Sequence, residues 1–168
     1  MKEVYVYCEG ATEETFVRDI LAPAFRGKQI FIKPSKFRNS HNSGGVSKYS
    51  KIKRYLNDLC QKNPNAIVTT MLDYYGLPSE VPGVRKGLIE SALQHVEDIE
   101  AAIFEDIGVR NLIPNLLLYE FEALLFSDTT RFSCLGLSER TMKQLRDIRE
   151  KADSPEHINN HPSTLMGG

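Results

Sequence analysis

Three acidic residues in this chain stand directly after apolar runs: Glu9 after Val4 to Cys8, Asp73 after Ala66 to Leu72, and Glu120 shortly after Leu112 to Leu118. If those runs are parallel strands, their carboxyl ends share one sheet edge, and side chains far apart in sequence converge there. Crowded carboxylates repel and raise one another's pKa unless a cation neutralises them. A hard ion such as Mg²⁺ takes one or two carboxylates together with waters and phosphate oxygens. The chemistry expected is therefore Mg²⁺ or Mn²⁺ holding a phosphate group, with Glu9, Asp73 and Glu120 as catalytic residues and metal ligands. Glu122 is a further candidate ligand. On an α-helix it sits about 200° from Glu120, so the two would not face one cleft.

Polar and aromatic residues near these acids suggest what the phosphate belongs to. Gly10 would let the backbone approach a phosphate, with Thr12 beside it at a helix start. Lys48, Lys51, Lys53 and Arg54 form a basic stripe after the loop His41-Asn42-Ser43-Gly44-Gly45, where contact with a DNA or RNA backbone is expected of Lys48, Lys51 and Arg54. Tyr74 and Tyr75 follow Asp73, and Tyr75 is a candidate for stacking on a base. Each has a plainer reading. Glu9 and Glu13 suit the positive end of a helix, Asp73 suits an Asx turn, the lysines suit a solvated helix face, and the tyrosines suit packing over the sheet edge.

Other chemistries are disfavoured. His41, His95, His157 and His161 lack zinc-ligand spacing, and the three cysteines form no close pair. No serine nucleophile elbow or Walker A loop is present, so ATP hydrolysis is not expected of this chain. The formal net charge of -1 makes any nucleic-acid contact local rather than a bulk electrostatic effect. No apolar run reaches the roughly 18 residues that span a bilayer, and the N-terminus reads directly into a strand, so a cytoplasmic, membrane-free protein is expected.

The elements that must position these residues follow from periodicity. Residues 3–8 alternate as a strand, and a helix with Thr12 as N-cap runs on through Phe16, Val17, Ile20 and Leu21 until Pro23. Residues 29–37 read as a second strand, at an edge because Pro34 cannot donate to a ladder. A polar loop over 38–45 leads to a helix over 46–62. Ala66 to Leu72 reads as a buried parallel strand ending at Asp73. A helix over 88–107 places Glu90, Glu97, Asp98, Glu100 and Glu105 mostly on its solvent side. A strand over 112–118, interrupted by Pro114, precedes a short helix from Glu120 and a charged helix over 138–152. The fold class expected is α/β, Rossmann-like, with a mainly parallel sheet, in one domain over 1–152 and a poorly ordered tail over 153–168.

Cys8-Glu9-Gly10-Ala11-Thr12-Glu13 resembles the E-G-x-T-E element that opens TOPRIM domains, including those of OLD-type nucleases. A closer resemblance is to a bacterial family of unknown function with a TOPRIM-like layout. It shares blocks similar to Leu72-Asp73-Tyr74-Tyr75-Gly76-Leu77-Pro78 and to Tyr119 through Ser127, and the resemblance covers most of residues 3–128. It implies a Mg²⁺-dependent nuclease or phosphodiesterase in which Glu9 is acid/base or ligand, Asp73 holds the metal, and Glu9 or a metal-bound water handles the proton. It also implies an ATPase partner protein. Tyr75 stands where the TOPRIM D-x-D motif has its second aspartate. That departure favours the alternative of a non-catalytic binding module working in a complex; a weaker alternative is a small-phosphate enzyme acting on a nucleotide. Relatives continue past Pro162-Ser163-Thr164, which implies a truncated chain.

Overall fold

The computed structural model of the chain describes residues 1–36, 48–85, 91–118, 121–155 and 158, apart from the side chains of 121 and 122. The expected loop over 38–45, the start of the helix at 88–90, Glu120, the side chain of Glu122 and the tail from 159 lie outside the described residues. Contacts gather the chain into two compact units, Met1–Leu117 and Leu118–Gly168.

The first unit is α/β. Strand β1 (Lys2–Cys8) leads into a continuous helical run made of α1 (Ala11–Phe16), a π-helical turn (Val17–Leu21) and α2 (Ala22–Arg26). The sequence suggested that this helix would end at Pro23, but it continues through it. Pro23 offers no N–H and its ring would collide with the carbonyl four residues back. The turn before it is widened, with the Ala22 N–H donating to the carbonyl of Val17. After β2 (Ile30–Ser35) come α3 (Tyr49–Lys62), β3 (Ile67–Asp73), a 3₁₀ turn (Tyr74–Gly76), α4 (Ala92–Ile107), β4 (Leu112–Ile113) and β5 (Leu116–Leu117).

Among the described residues every strand pairing is parallel, in the order β2-β1-β3-β4, with β5 also paired to β3. β2 is an edge strand, as Pro34 suggested, and its Lys33 bonds Glu3 of β1 at 2.6 Å. From β1 the chain winds out to β2, then crosses back over β1 to β3. Right-handed crossovers, the rule for parallel strands, put residues 11–26 on one face and α3 and α4 on the other. The bonds between α3 and α4 agree: Tyr49 Oη donates to Asp106 Oδ2 at 2.6 Å and Lys53 Nζ to Asp106 Oδ1 at 2.8 Å. Tyr7 of β1 packs on Tyr55 of α3 with ring centroids 5.4 Å apart, so Val6 and Cys8, alternating with it, face the opposite way.

Helix α3 buries Tyr49, Ile52, Leu56 and Cys60, and α4 buries His95, Val96, Ile99 and Ile103, which is the spacing of one helix face. Leu56 and Ile99 are completely enclosed, and burial of such side chains contributes about 1.5–3 kcal/mol each. Helix α4 starts at Ser91, whose side chain accepts the Gln94 N–H, and stops at Gly108 in the left-handed region (φ 68°). Asn111 Nδ2 closes the end of α3 by donating to the carbonyls of Asn63 (3.1 Å) and Ala66 (2.9 Å).

The strand expected over 112–118 is two short pieces on one side of β3, split at Pro114. Thr70 of β3 splices the break: its Oγ1 donates to the Asn115 carbonyl (2.7 Å) and accepts the Asn115 N–H (2.9 Å). Glu100 of α4 completes the repair, with Oε1 accepting the Leu116 N–H at 2.7 Å. The sequence put Glu100 among the solvent-side charges of α4. It is instead drawn inward, and burial raises its carboxyl pKa, with the Leu116 N–H acting against that.

The second unit begins with a 3₁₀ segment (Phe121–Leu135) that breaks at Asp128, where the expected short helix lies. Asp128 Oδ1 accepts the Thr130 N–H at 3.1 Å and so starts the second piece. Helix α5 (Glu139–Glu150) is capped by Ser138, which accepts the Thr141 N–H. Among the described residues no helix is long and apolar enough to cross a membrane.

Candidate functional site

Sheet order fixes where a ligand cleft belongs. The strand order reverses direction between β1 and β3, and in doubly wound α/β sheets the crevice lies outside the carboxyl ends of the two strands at that switch. Those ends are Cys8 and Asp73, with Cys8 in register with Met71. Glu9 therefore emerges beside the end of β3. The Asp73 backbone N–H is close enough to the Glu9 carboxyl to act on its pKa. Residues separated by sixty-odd positions in sequence thus meet at one sheet edge, as the strand-end argument expected of Glu9 and Asp73.

The electrostatics of the pair are uneven. Burial pushes the Glu9 carboxyl pKa up, the charge of Glu13 pushes it further, and the Asp73 N–H pulls it down. Asp73 is half-buried and its Oδ1 is withdrawn from solvent. Its side chain makes no capping bond to the 3₁₀ turn that follows, so an Asx-turn role does not describe it.

The turn after β1 departs from the sequence reading. The helix is capped by Gly10, not Thr12, which lies exposed in the first turn. Glu13 reaches back so that its Oε2 accepts the Gly10 N–H at 2.9 Å, half of a capping box. A Cβ on Gly10 would stand 2.6 Å from that oxygen. Since the Gly10 backbone is extended (φ -116°), the glycine serves the close approach of Glu13 rather than a special dihedral. At this amide the carboxylate of Glu13 sits where a phosphate oxygen was expected.

The other candidates lie around the same edge or outside the description. Helix α3 starts beside the loop that follows β3, because the Tyr49 N–H donates to Glu80 Oε1 at 3.2 Å. Lys48 and Lys51, exposed at that start, are on the carboxyl side of the sheet, and Arg54 is exposed farther along the helix. Lys53 leaves the stripe for Asp106. Tyr75 is exposed in the 3₁₀ turn. Glu120 and the side chain of Glu122 lie outside the described residues.

A feature not foreseen braces this edge. His95 of α4 is buried, with Nδ1 2.7 Å from Tyr74 Oη and Nε2 3.0 Å from the Gly83 carbonyl and 3.2 Å from the Arg85 nitrogen. One imidazole thus ties both ends of the segment that follows Asp73. Gly83 adopts the left-handed region (φ 84°), where a Cβ would also crowd Ile99 of α4. The sequence signal was a histidine on the apolar stripe of α4, which needs a buried hydrogen-bond partner.

A divalent cation suits the donor set at this edge. Carboxylate oxygens are the usual ligands of Mg²⁺, which needs only one or two of them when phosphate and water complete its shell. Glu9 and Asp73 supply two. Among the described residues no group of three His, Cys, Asp or Glu side chains gathers as a metal cluster. Comparison with curated proteins and with solved structures gave no match. A family profile described as a domain of unknown function (DUF4276) matches residues 8–166, which include Glu9, Asp73 and the whole sheet beyond β1, and the chain belongs to that family.

Proposed function

We propose that this chain is a divalent-metal-dependent, TOPRIM-like nuclease or phosphodiesterase acting on nucleic-acid phosphodiesters. The observation that carries the reading is the emergence of Glu9 and Asp73 side by side at the switch point between β1 and β3, where Cys8 is in register with Met71. Glu9 and Asp73, the two residues whose roles the TOPRIM likeness implies, would hold Mg²⁺ or Mn²⁺. The ion would supply Lewis-acid stabilisation of charge on the phosphoryl oxygens. Glu9 has a second role in this reading: a half-buried carboxyl with a raised pKa is suited to accept a proton during attack on phosphorus. Lys48 and Lys51 at the start of α3 would steer the phosphate backbone to that edge.

The test is cleavage of single-stranded, duplex and supercoiled DNA and of RNA. Activity with Mg²⁺ or Mn²⁺ that is abolished by EDTA and by Glu9→Gln supports the reading. In the same preparation Mn²⁺ should raise the melting temperature of wild type but not of Glu9→Gln or Asp73→Asn. Silence on every substrate, together with no metal-induced shift, overturns it.

One observation favours a second reading, a non-catalytic module working with an ATPase partner. Tyr75 occupies the position of the second TOPRIM aspartate, and a single ion has less charge to spread over attacking and leaving oxygens. Tyr75→Asp separates the two: cleavage gained or strengthened marks an attenuated nuclease centre, whereas silence in wild type and variant, even with an ATPase partner added, marks a binding module.

A further inference from the structure

The segment after Asp73 presents an aromatic ring in an unusual way. Tyr74 is buried and Tyr75, its neighbour, is 64% exposed. The two rings meet edge to face, 4.9 Å between centroids at 70°. Tyr74 is in turn pinned by its hydroxyl to His95, and the same imidazole reaches the Gly83 carbonyl at the far end of the segment. Glu80 fastens the middle to the start of α3. Tyr75 thus stands on a braced platform, two residues beyond a carboxylate of the proposed site. The exposed cations Lys48 and Lys51 sit at the helix start to which that platform is tied.

An exposed ring at the same sheet edge as exposed lysines is a combination suited to single strands, since every base offers a π-face for stacking. In a duplex those faces are covered by neighbouring pairs, and a side chain reaches one only if the base leaves the stack. We propose that Tyr75 is a stacking platform for an unpaired nucleobase next to the bound phosphate, so that the site takes single-stranded or frayed nucleic acid in preference to intact duplex. This rests on the phosphodiester reading above.

The chain contains no tryptophan, so Tyr75→Trp places a lone indole reporter on the platform. Titration of that variant with a short oligothymidine in Mg²⁺ should quench its emission, and an abasic strand of equal length and charge should not. In parallel, fluorescence anisotropy with labelled strands should show Tyr75→Leu binding unpaired DNA and RNA weaker than wild type by roughly 5- to 150-fold, the range that base–aromatic stacking supplies. Tyr75→Phe should bind as wild type does, and all variants should bind the abasic strand equally. Equal quenching by abasic and base-bearing strands, or equal affinity of Tyr75→Leu and wild type, overturns the stacking role while leaving the phosphodiester reading in place. Wild type that binds no nucleic acid in any form overturns both.

Discussion

Replacing Thr70 by valine tests the device that lets a broken strand stay beside the site. The side chain is 2% exposed in the middle of β3, and its hydroxyl bonds both the N–H and the carbonyl of Asn115. Valine keeps the shape and removes both bonds. A buried backbone group left without a partner costs about 1–3 kcal/mol. Asn115 is exposed as a residue, so water recovers part of each loss and about 1 kcal/mol per group is the better figure. The added methyl returns about 0.8 kcal/mol of burial, leaving a net loss of about 1–2 kcal/mol. For a chain of this length that lowers the melting temperature by about 3–6 °C. Urea unfolding followed by circular dichroism should show the midpoint falling with the slope unchanged. Amide exchange should also quicken at Asn115 and Leu116, the latter still held by Glu100. Because β5 pairs with Leu72 and Asp73, the change loosens the strand end that carries the proposed ligand. A variant that melts with wild type, and whose Asn115 amide exchanges at the wild-type rate, would refute the account of the splice.

Two further outcomes follow from the site. The Glu9 carboxyl has a pKa raised by folding, so the folded protein holds that proton more tightly: the stabilisation is present below the ordinary glutamate range and is lost as pH rises through the raised value. Glu9→Gln should therefore melt higher than wild type above that range and converge with it in acid; a variant less stable at neutral pH would contradict the attribution of the raised pKa to burial and to the charge of Glu13. Gly10→Ala should cost about 1 kcal/mol in urea unfolding by driving Glu13 off the Gly10 amide. In a Glu13→Ala background the same change should cost nothing further, and additive losses would show that the capping contact is not the reason for glycine.

Local chemistry in the sequence was enough for the α/β class and for much of the element order. Alternation over Val4 to Cys8, the apolar run into Asp73 and the helical spacing of Ile52, Leu56 and Cys60 are each written within a few consecutive residues. They reflect which faces must leave water, whatever the rest of the chain does. The convergence of Glu9 and Asp73 was legible for the same reason, since a residue that follows a parallel strand has only one edge at which to emerge. What the sequence could not settle were contacts whose partners lie far along the chain. Glu100 looked like a solvent charge until the break at Pro114 left the Leu116 amide in need of an acceptor. Thr70 lay unremarked within the apolar run into Asp73, and His95 stood out only as lacking zinc-ligand spacing. In each case a polar group removed from water must be paired. Which group pairs with it is decided only when the crossovers have brought β3, α4 and the strand pieces after α4 together.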